Sequence, residues 1–168
     1  LGKVGREVAH RARSFGMEVI GFDPFLSADD IERGKTTVVT IDQVFRRSDF
    51  ITLHSPLTPQ THHMVGEKEI ASCKPGVRII NCARGGILDE QALVKHLRSG
   101  HVAGAALDVY EEEPPKDLPF REMDNVVLTP HLAASTAEAQ EKVAVVIAEQ
   151  ICDYLRDGVA KNAVNVTP

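Results

Sequence analysis

Short apolar runs alternate with amphipathic segments along the whole chain, and this alternation limits the fold more than any other feature. The runs are apolar throughout rather than on one face only, which is typical of strands in a parallel sheet covered by helices on both sides. We therefore predict an α/β fold. The predicted strands are residues 18–22, 50–53, 77–80, 102–107 and 126–128, and the predicted helices are residues 1–15, 41–47, 67–72, 89–97 and 135–156.

Polar residues stand at or just after the end of each predicted strand. In parallel α/β sheets, ligands bind outside the carboxyl ends of the strands. The residues at these ends are Asp23, Ser55, Arg84, Asp108 and His131. We expect them to line a single ligand-binding edge of the sheet.

One predicted strand ends in the sequence Asn-Cys-Ala-Arg-Gly-Gly, residues 81–86. An arginine at the carboxyl end of a buried strand can hold a carboxylate or a phosphate by two parallel hydrogen bonds. The two glycines that follow allow a tight turn and a close approach of ligand to backbone. Arg84 is therefore a candidate anchor for an anionic substrate.

A dinucleotide site is indicated by Gly2-Lys3-Val4-Gly5, which matches the last four positions of the glycine fingerprint. Gly2 would let backbone amides approach a pyrophosphate, and Gly5 would let the helix pack on the sheet. Asp23 follows the next strand, where a carboxylate accepts hydrogen bonds from an adenosine ribose. An acidic residue there would repel a 2′-phosphate, so we expect NAD rather than NADP.

Acid–base chemistry is indicated by His131, which follows a predicted strand, and by Glu113 in the irregular Glu-Glu-Glu-Pro-Pro segment. An imidazole beside a carboxylate exchanges protons near neutral pH, and the carboxylate favours the imidazolium. Reduction of a ketone by hydride needs such a proton donor. Arg84, Glu113 and His131 are therefore the candidate catalytic residues.

Composition restricts the partners. A net charge of −5 and the lack of a basic cluster argue against nucleic acid, and no apolar stretch approaches the length of a membrane span. Three scattered cysteines suit free thiols in a reducing compartment, so we expect a cytoplasmic protein. His62-His63 lacks the spacing of a helical metal site, and we predict no metal.

The chain resembles the D-isomer-specific 2-hydroxyacid dehydrogenases over essentially its full length. The resemblance rests on Asn-Cys-Ala-Arg-Gly-Gly, on residues 104–109 (Gly-Ala-Ala-Leu-Asp-Val), on Glu-Glu-Pro-Pro, and on Pro-His-Leu followed by Ala-Ser-Thr at residues 134–136. It implies a Rossmann-type doubly wound parallel sheet and NAD as the cofactor. The activity that it implies is NAD-dependent oxidation of 3-phosphoglycerate, the first step of L-serine biosynthesis.

The resemblance also implies roles for individual residues. Arg84, Glu113 and His131 would form the catalytic set, with His131 as acid/base, and Asp108 would hold the nicotinamide carboxamide. Cys82 would contact the cofactor through its backbone and needs no nucleophilic role. The full predicted cofactor-binding set is Gly2, Lys3, Val4, Gly5, Asp23, Ser55, Cys82, Ala83, Arg84, Asp108, His131, Leu132, Ala133 and Ala134.

The chain departs from the family pattern in two ways. Ala133 stands where glycine is common, from which we expect no loss of function. The first strand, the first fingerprint glycine and the substrate-binding segment have no counterpart in this sequence. The missing strand would lie between the strand ending at Asp23 and the one ending at Leu53, so its loss would leave two exposed strand edges.

We therefore expect a piece of a longer polypeptide that is inactive alone. Residues 1–158 would be the NAD-binding domain, and residues 159–168 a return toward the substrate domain. A homo-oligomer, dimer or tetramer, is a family-level expectation for the full-length protein.

Two alternatives remain open at this stage. Another D-2-hydroxyacid dehydrogenase, such as a hydroxypyruvate or glyoxylate reductase, would share the same catalytic residues. A NAD-sensing corepressor of the C-terminal-binding-protein type keeps the same Arg, Glu and His and would not depend on a basic DNA-binding patch.

Overall fold

The described part of the chain, residues 1–26 and 36–163 of a computed structural model, contains parallel strands joined by helices. It divides into two compact units, Leu1–Pro130 and His131–Pro168. In chain order the first unit contains α1 (Lys3–Ser14), β1 (Ile20–Gly21), β2 (Thr37–Val38), α2 (Ile41–Arg47), β3 (Phe50–Leu53), α3 (Glu67–Ser72), β4 (Val77–Asn81), α4 (Glu90–Arg98), β5 (Val102–Leu107) and β6 (Val126–Leu128), and the second contains α5 (Ala137–Asp157).

The strands of the first unit form two parallel sheets, one of β1 and β2 and one in the order β3-β4-β5-β6. The predicted α/β fold is thus confirmed. Within the described residues no ladder joins β1 to β3, as expected where the strand between them is absent. Strand β2 was not predicted, and β1 is shorter than the predicted strand at residues 18–22.

The core of the first unit lies on one face of the larger sheet. Residues alternate between buried and exposed along β3, where Ile51 and Leu53 are buried and Phe50 and Thr52 are exposed. The buried side chains pack with those of α2, α3 and α4 in one apolar cluster. Because β3, β4, β5 and β6 are parallel, their carboxyl ends lie at the same edge of the sheet.

Local signals define the helix ends. The Asp89 carboxylate accepts the Ala92 amide at 2.9 Å and so caps the amino end of α4. Thr40 and Gln43 form a capping box on α2. In the second unit Thr136 caps α5 through the Ala139 amide, and Gly158 ends the helix in the left-handed conformation.

Helix α5 has no buried residue. The predicted return segment, residues 159–168, is described only as far as residue 163. Its Asn165 and Val166 lie outside the described residues.

Candidate active site and cofactor-binding edge

The loop after β4 is folded by the side chain of Asn81, which is buried. Its Nδ2 donates to the Arg84 carbonyl at 3.0 Å, and its Oδ1 accepts the Ala83 amide at 3.1 Å. Asparagine commonly closes turns in this way. The sequence analysis gave Asn81 no such role, although an asparagine between a strand and a Gly-Gly pair is a usable signal.

Arg84 is exposed at the tip of this loop, where its Nη1 donates to the Ala83 carbonyl at 2.7 Å. A guanidinium carries five N–H donors, so this one bond leaves Arg84 able to bind a carboxylate. The structure therefore places the predicted anchor at the carboxyl edge of the sheet.

Two glycines bring this loop against the loop after β5. A Cβ added to Gly85 would lie 1.7 Å from the Tyr110 carbonyl oxygen, so no larger residue fits without a backbone shift. Gly86 has φ +76°, a left-handed conformation that favours glycine. The Gly-Gly pair is predicted from sequence to allow a close approach of ligand, whereas Gly85 is in close contact with protein backbone.

The ends of β4, β5 and β6 are joined by hydrogen bonds around Asp108, which is buried. Its amide donates to the Asn81 carbonyl at 3.0 Å, and the Thr129 hydroxyl donates to its carboxylate at 2.5 Å. The Tyr110 hydroxyl donates to the Thr129 carbonyl at 2.8 Å. Tyr110 and Thr129 are site-forming residues that the sequence analysis missed, because hydroxyl partners from different strands leave no local pattern.

Glu113 lies in the loop after β5 with an exposed side chain. Its Oε1 accepts the Tyr110 amide at 3.0 Å, which closes a short turn over residues 110–113. Glu113 therefore lies in the same connected group of loops as Arg84, because Tyr110 also contacts Gly85.

The amino end of α1 has the features of an anion site. Among its described residues, no side chain caps the helix and no acidic residue lies in the first turn. Nothing lies within 4 Å of a Cβ added to Gly2, so the approach to the first amides is open. An uncapped helix start offers unpaired N–H groups and a favourable dipole to a phosphate.

Asp23 and the end of β3 lie next to this helix start. Asp23 lies close to Leu1, and its Oδ1 accepts the Phe25 amide at 2.9 Å. A Cβ on Gly5 would lie 3.4 Å from that of His54, so α1 packs against the residue before Ser55.

Cys82 is exposed in the loop after β4. Partial burial of its sulfur, followed by the charge of Asp108, raises the pKa of the thiol. A raised pKa disfavours the nucleophilic thiolate, in accord with a backbone role for this residue.

The second unit begins at His131, so the predicted residues His131, Leu132, Ala133 and Ala134 belong to it and the others to the first unit. All four are exposed. His131 has φ +55°, a strained conformation for a residue other than glycine, and such strain is concentrated at functional sites. The Ser135 hydroxyl donates to its carbonyl at 3.3 Å.

The described residues contain neither a membrane-spanning helix nor a cluster of metal ligands. Among residues 1–26 and 36–163, no helix has the length and hydropathy to cross a membrane. The same residues contain no group of three or more His, Cys, Asp or Glu arranged for a metal ion. His62 and His63 lie in a turn with their rings stacked 4.0 Å apart.

Comparison with known proteins gives concordant results. Residues 1–133 match the family model described as D-isomer specific 2-hydroxyacid dehydrogenase, NAD binding domain. The chain is 49% identical over 167 residues to a D-3-phosphoglycerate dehydrogenase of Methanocaldococcus jannaschii, covering 99% of this chain and 32% of that protein. It thus spans about a third of the length of the curated relatives it matches.

Solved structures share the fold. A glyoxylate reductase from Paecilomyes thermophila superposes with a TM-score of 0.90 at 37% identity, covering 96% of this chain and 49% of that one. The NAD-complexed form of a D-isomer specific 2-hydroxyacid dehydrogenase from Lactobacillus delbrueckii superposes with a TM-score of 0.88 at 31% identity, covering 98% of this chain and 54% of that one.

Proposed function

We propose that this chain, which belongs to the D-isomer specific 2-hydroxyacid dehydrogenase family as its NAD-binding domain, serves an enzyme that oxidises 3-phosphoglycerate to 3-phosphohydroxypyruvate. The observation that carries the proposal is the 49% identity to a D-3-phosphoglycerate dehydrogenase over 99% of the chain. The reaction would be the first step of L-serine biosynthesis.

The cofactor site would extend along the carboxyl edge of the sheet. At one end, the open amino end of α1 suits a pyrophosphate on the amides after Gly2, and Asp23 suits the adenosine ribose. Ser55 follows β3 beside this helix. The open space around Gly2 supports this assignment.

The other end of the site would hold the nicotinamide. We assign it to Cys82 and Ala83 through their backbone, to the Asp108 carboxylate, and to the segment from His131 to Ala134. Support comes from the hydrogen bonds that fix Asn81, Asp108 and Thr129, because a carboxylate held rigidly is suited to orienting a carboxamide. The proposed set of cofactor contacts is completed by Lys3, Val4, Gly5 and Arg84.

When bound, NAD supplies the acceptor for the hydride of C2. Arg84 holds the substrate carboxylate by paired hydrogen bonds and polarises the neighbouring C–O bond. His131 takes the hydroxyl proton on its imidazole. Glu113 favours the imidazolium so formed and orients the ring.

We further propose the domain organisation inferred from sequence, with residues 1–158 as NAD-binding domain and residues 159–168 as the return toward a substrate domain. The full-length protein would act in the cytoplasm as a homo-oligomer on a small 2-hydroxy acid, with no nucleic-acid partner.

A second candidate is a glyoxylate or hydroxypyruvate reductase. It is favoured by the superposition on a glyoxylate reductase at a TM-score of 0.90. The two candidates share the cofactor site and the anchor for the 2-hydroxy carboxylate. They differ in whether the substrate carries a phosphate.

The test is a substrate panel on the full-length polypeptide, measured as NADH formation from 3-phosphoglycerate, glycerate, lactate and glycolate. We expect kcat/KM to be highest for 3-phosphoglycerate and lower with NADP than with NAD. A preference for glycerate or glycolate would replace the proposal by the second candidate. Absence of turnover with every acid, in a protein that still binds NAD, would favour a NAD-sensing role instead.

A further inference from the structure

The loop that carries Glu113 is attached to the start of α4 by a reciprocal pair of hydrogen bonds. The Glu111 amide donates to Glu90 Oε1 at 2.7 Å, and the Glu90 amide donates to Glu111 Oε1 at 3.2 Å. Each glutamate thus uses its side chain to hold the backbone of the other. Two segments that are 21 residues apart in sequence are held together by this pair of bonds.

His63 is the third member of this cluster. Its Nε2 lies 3.0 Å from Glu111 Oε1, and its Nδ1 lies 4.0 Å from Asp89 Oδ2. Its amide donates to the Gly86 carbonyl at 2.8 Å, and its φ is +49°. The imidazole is therefore held between the loop after β4 and the loop after β5.

Three acidic side chains, those of Asp89, Glu90 and Glu111, lie close to His63. Glu90 is half-buried, and burial raises its pKa; the charge of Glu111 adds to the increase, while the Glu111 amide and His63 oppose it. The Asp89 carboxylate is engaged in capping α4. His63 Nε2 lies within hydrogen-bonding distance of Glu111, so the ring lies among these acidic side chains.

The cluster reaches the proposed catalytic loop through a short path. Glu111 is followed after one residue by Glu113, whose carboxylate accepts the Tyr110 amide at 3.0 Å. Gly85 packs against the Tyr110 carbonyl from the Arg84 side. The 110–113 turn is therefore held at Tyr110 by Gly85, near the substrate anchor, and at Glu111 by Glu90 and His63.

We propose that Glu90 and His63 are positioning residues that fix the 110–113 turn and thereby aim Glu113. The inference rests on the proposed function, because it takes Glu113 as part of the catalytic set. Neither residue needs to touch substrate or cofactor. Their effect is on the placement of one carboxylate, where a displacement of about 1 Å can cost a large part of the rate.

The experiment compares four variants in the full-length polypeptide: Glu90→Ala, Glu90→Gln, His63→Ala and Glu112→Ala. In Glu90→Gln the side-chain carbonyl can still accept the Glu111 amide. Glu112 lies in the same loop and pairs with Lys116 rather than with Glu90, so its variant is the matched control. Two readouts are taken, kcat together with the Kd of NAD, and amide hydrogen exchange over residues 109–113.

We expect Glu90→Ala and His63→Ala to lower kcat roughly ten-fold, with the Kd of NAD within about two-fold of wild type. Exchange at the Glu111 amide rises in Glu90→Ala. Glu90→Gln restores both values toward wild type, and Glu112→Ala changes neither. This split separates positioning from a general loss of structure, which would also weaken NAD.

Two results would overturn the inference: unchanged exchange at residues 109–113 in Glu90→Ala, or faster exchange with an unchanged kcat. Failure of the proposed function has a different signature, since the wild type would then oxidise no 2-hydroxy acid. In that case exchange alone decides whether Glu90 and His63 hold the turn, and the catalytic part of the inference is rejected.

Discussion

The two ends of the proposed cofactor-binding edge are built in opposite ways. At the α1 end, Gly2 has open space around it and the helix start carries no side-chain cap. At the β4–β5 end, Gly85 has no room for a Cβ, and Asn81 and Asp108 are buried and hydrogen-bonded. The same residue type thus serves ligand access in one place and protein packing in the other.

We expect the α1 end to determine mainly the affinity for the cofactor, and the β4–β5 end to determine mainly the positions of the reacting groups. Open amides and a carboxylate at the α1 end offer binding energy to a dinucleotide without constraining the reacting atoms. The closely packed loops at the β4–β5 end would set where Arg84, Asp108 and Glu113 lie, which matters for rate. Substitutions at the two ends should therefore affect different quantities.

The largest effect is expected for Gly85→Ala. The new Cβ would meet the Tyr110 carbonyl at 1.7 Å, and relieving that clash requires a backbone shift that costs about 3 kcal/mol of unfolding free energy or more. Gly2→Ala is the matched control, because its Cβ meets nothing within 4 Å. Thermal unfolding of the full-length variants measures the loss of stability in each of them. Equal losses for the two variants would remove the contrast between the ends.

His131→Ala should reduce turnover by ~10² or more through loss of acid–base catalysis, with NAD still bound. Steady-state kinetics with 3-phosphoglycerate measures kcat, and a separate titration measures the Kd of NAD. A near-normal kcat would exclude His131 as the acid/base.

Asp23→Ala should weaken NAD about ten-fold, because a carboxylate that accepts ribose hydroxyls is lost, and should improve relative use of NADP. The exposed Asp124 provides a control substitution of the same kind at the surface. The measurement is Kd for both cofactors. An unchanged NAD/NADP ratio would count against the ribose contact, whatever the change in stability.

The smallest effect is expected for alkylation of Cys82. Its raised pKa slows reaction near neutral pH, and bound NAD should slow it several-fold further by covering the loop after β4. Cys152, exposed on α5, is the internal control. Mass spectrometry of alkylated peptides with and without NAD gives both rates. Protection of Cys152 but not Cys82 would place the cofactor elsewhere.

The sequence predicted the parts of the molecule that depend on local patterns. Apolar runs located β3, β5 and β6 to the residue. Strand β2 was not predicted, because its two residues give too short a pattern to detect.

Contacts between distant segments were beyond sequence reasoning. The fit of Gly85 against Tyr110, the Thr129–Asp108 hydrogen bond and the Glu90–Glu111 pair each join loops that follow different strands. The residues concerned are ordinary when read one at a time. Their role is set by the parallel sheet, which brings the carboxyl ends of its strands to one edge.

The most direct test of the account is a map of amide hydrogen exchange in the full-length polypeptide with and without NAD. Our account predicts slower exchange on NAD binding at residues 2–5 and 82–84, at the two contrasted ends of the edge, and no change in α3, on the core side of the sheet. Protection confined to α3 and α4, or no protection at residues 2–5 and 82–84 under saturating NAD, would contradict it.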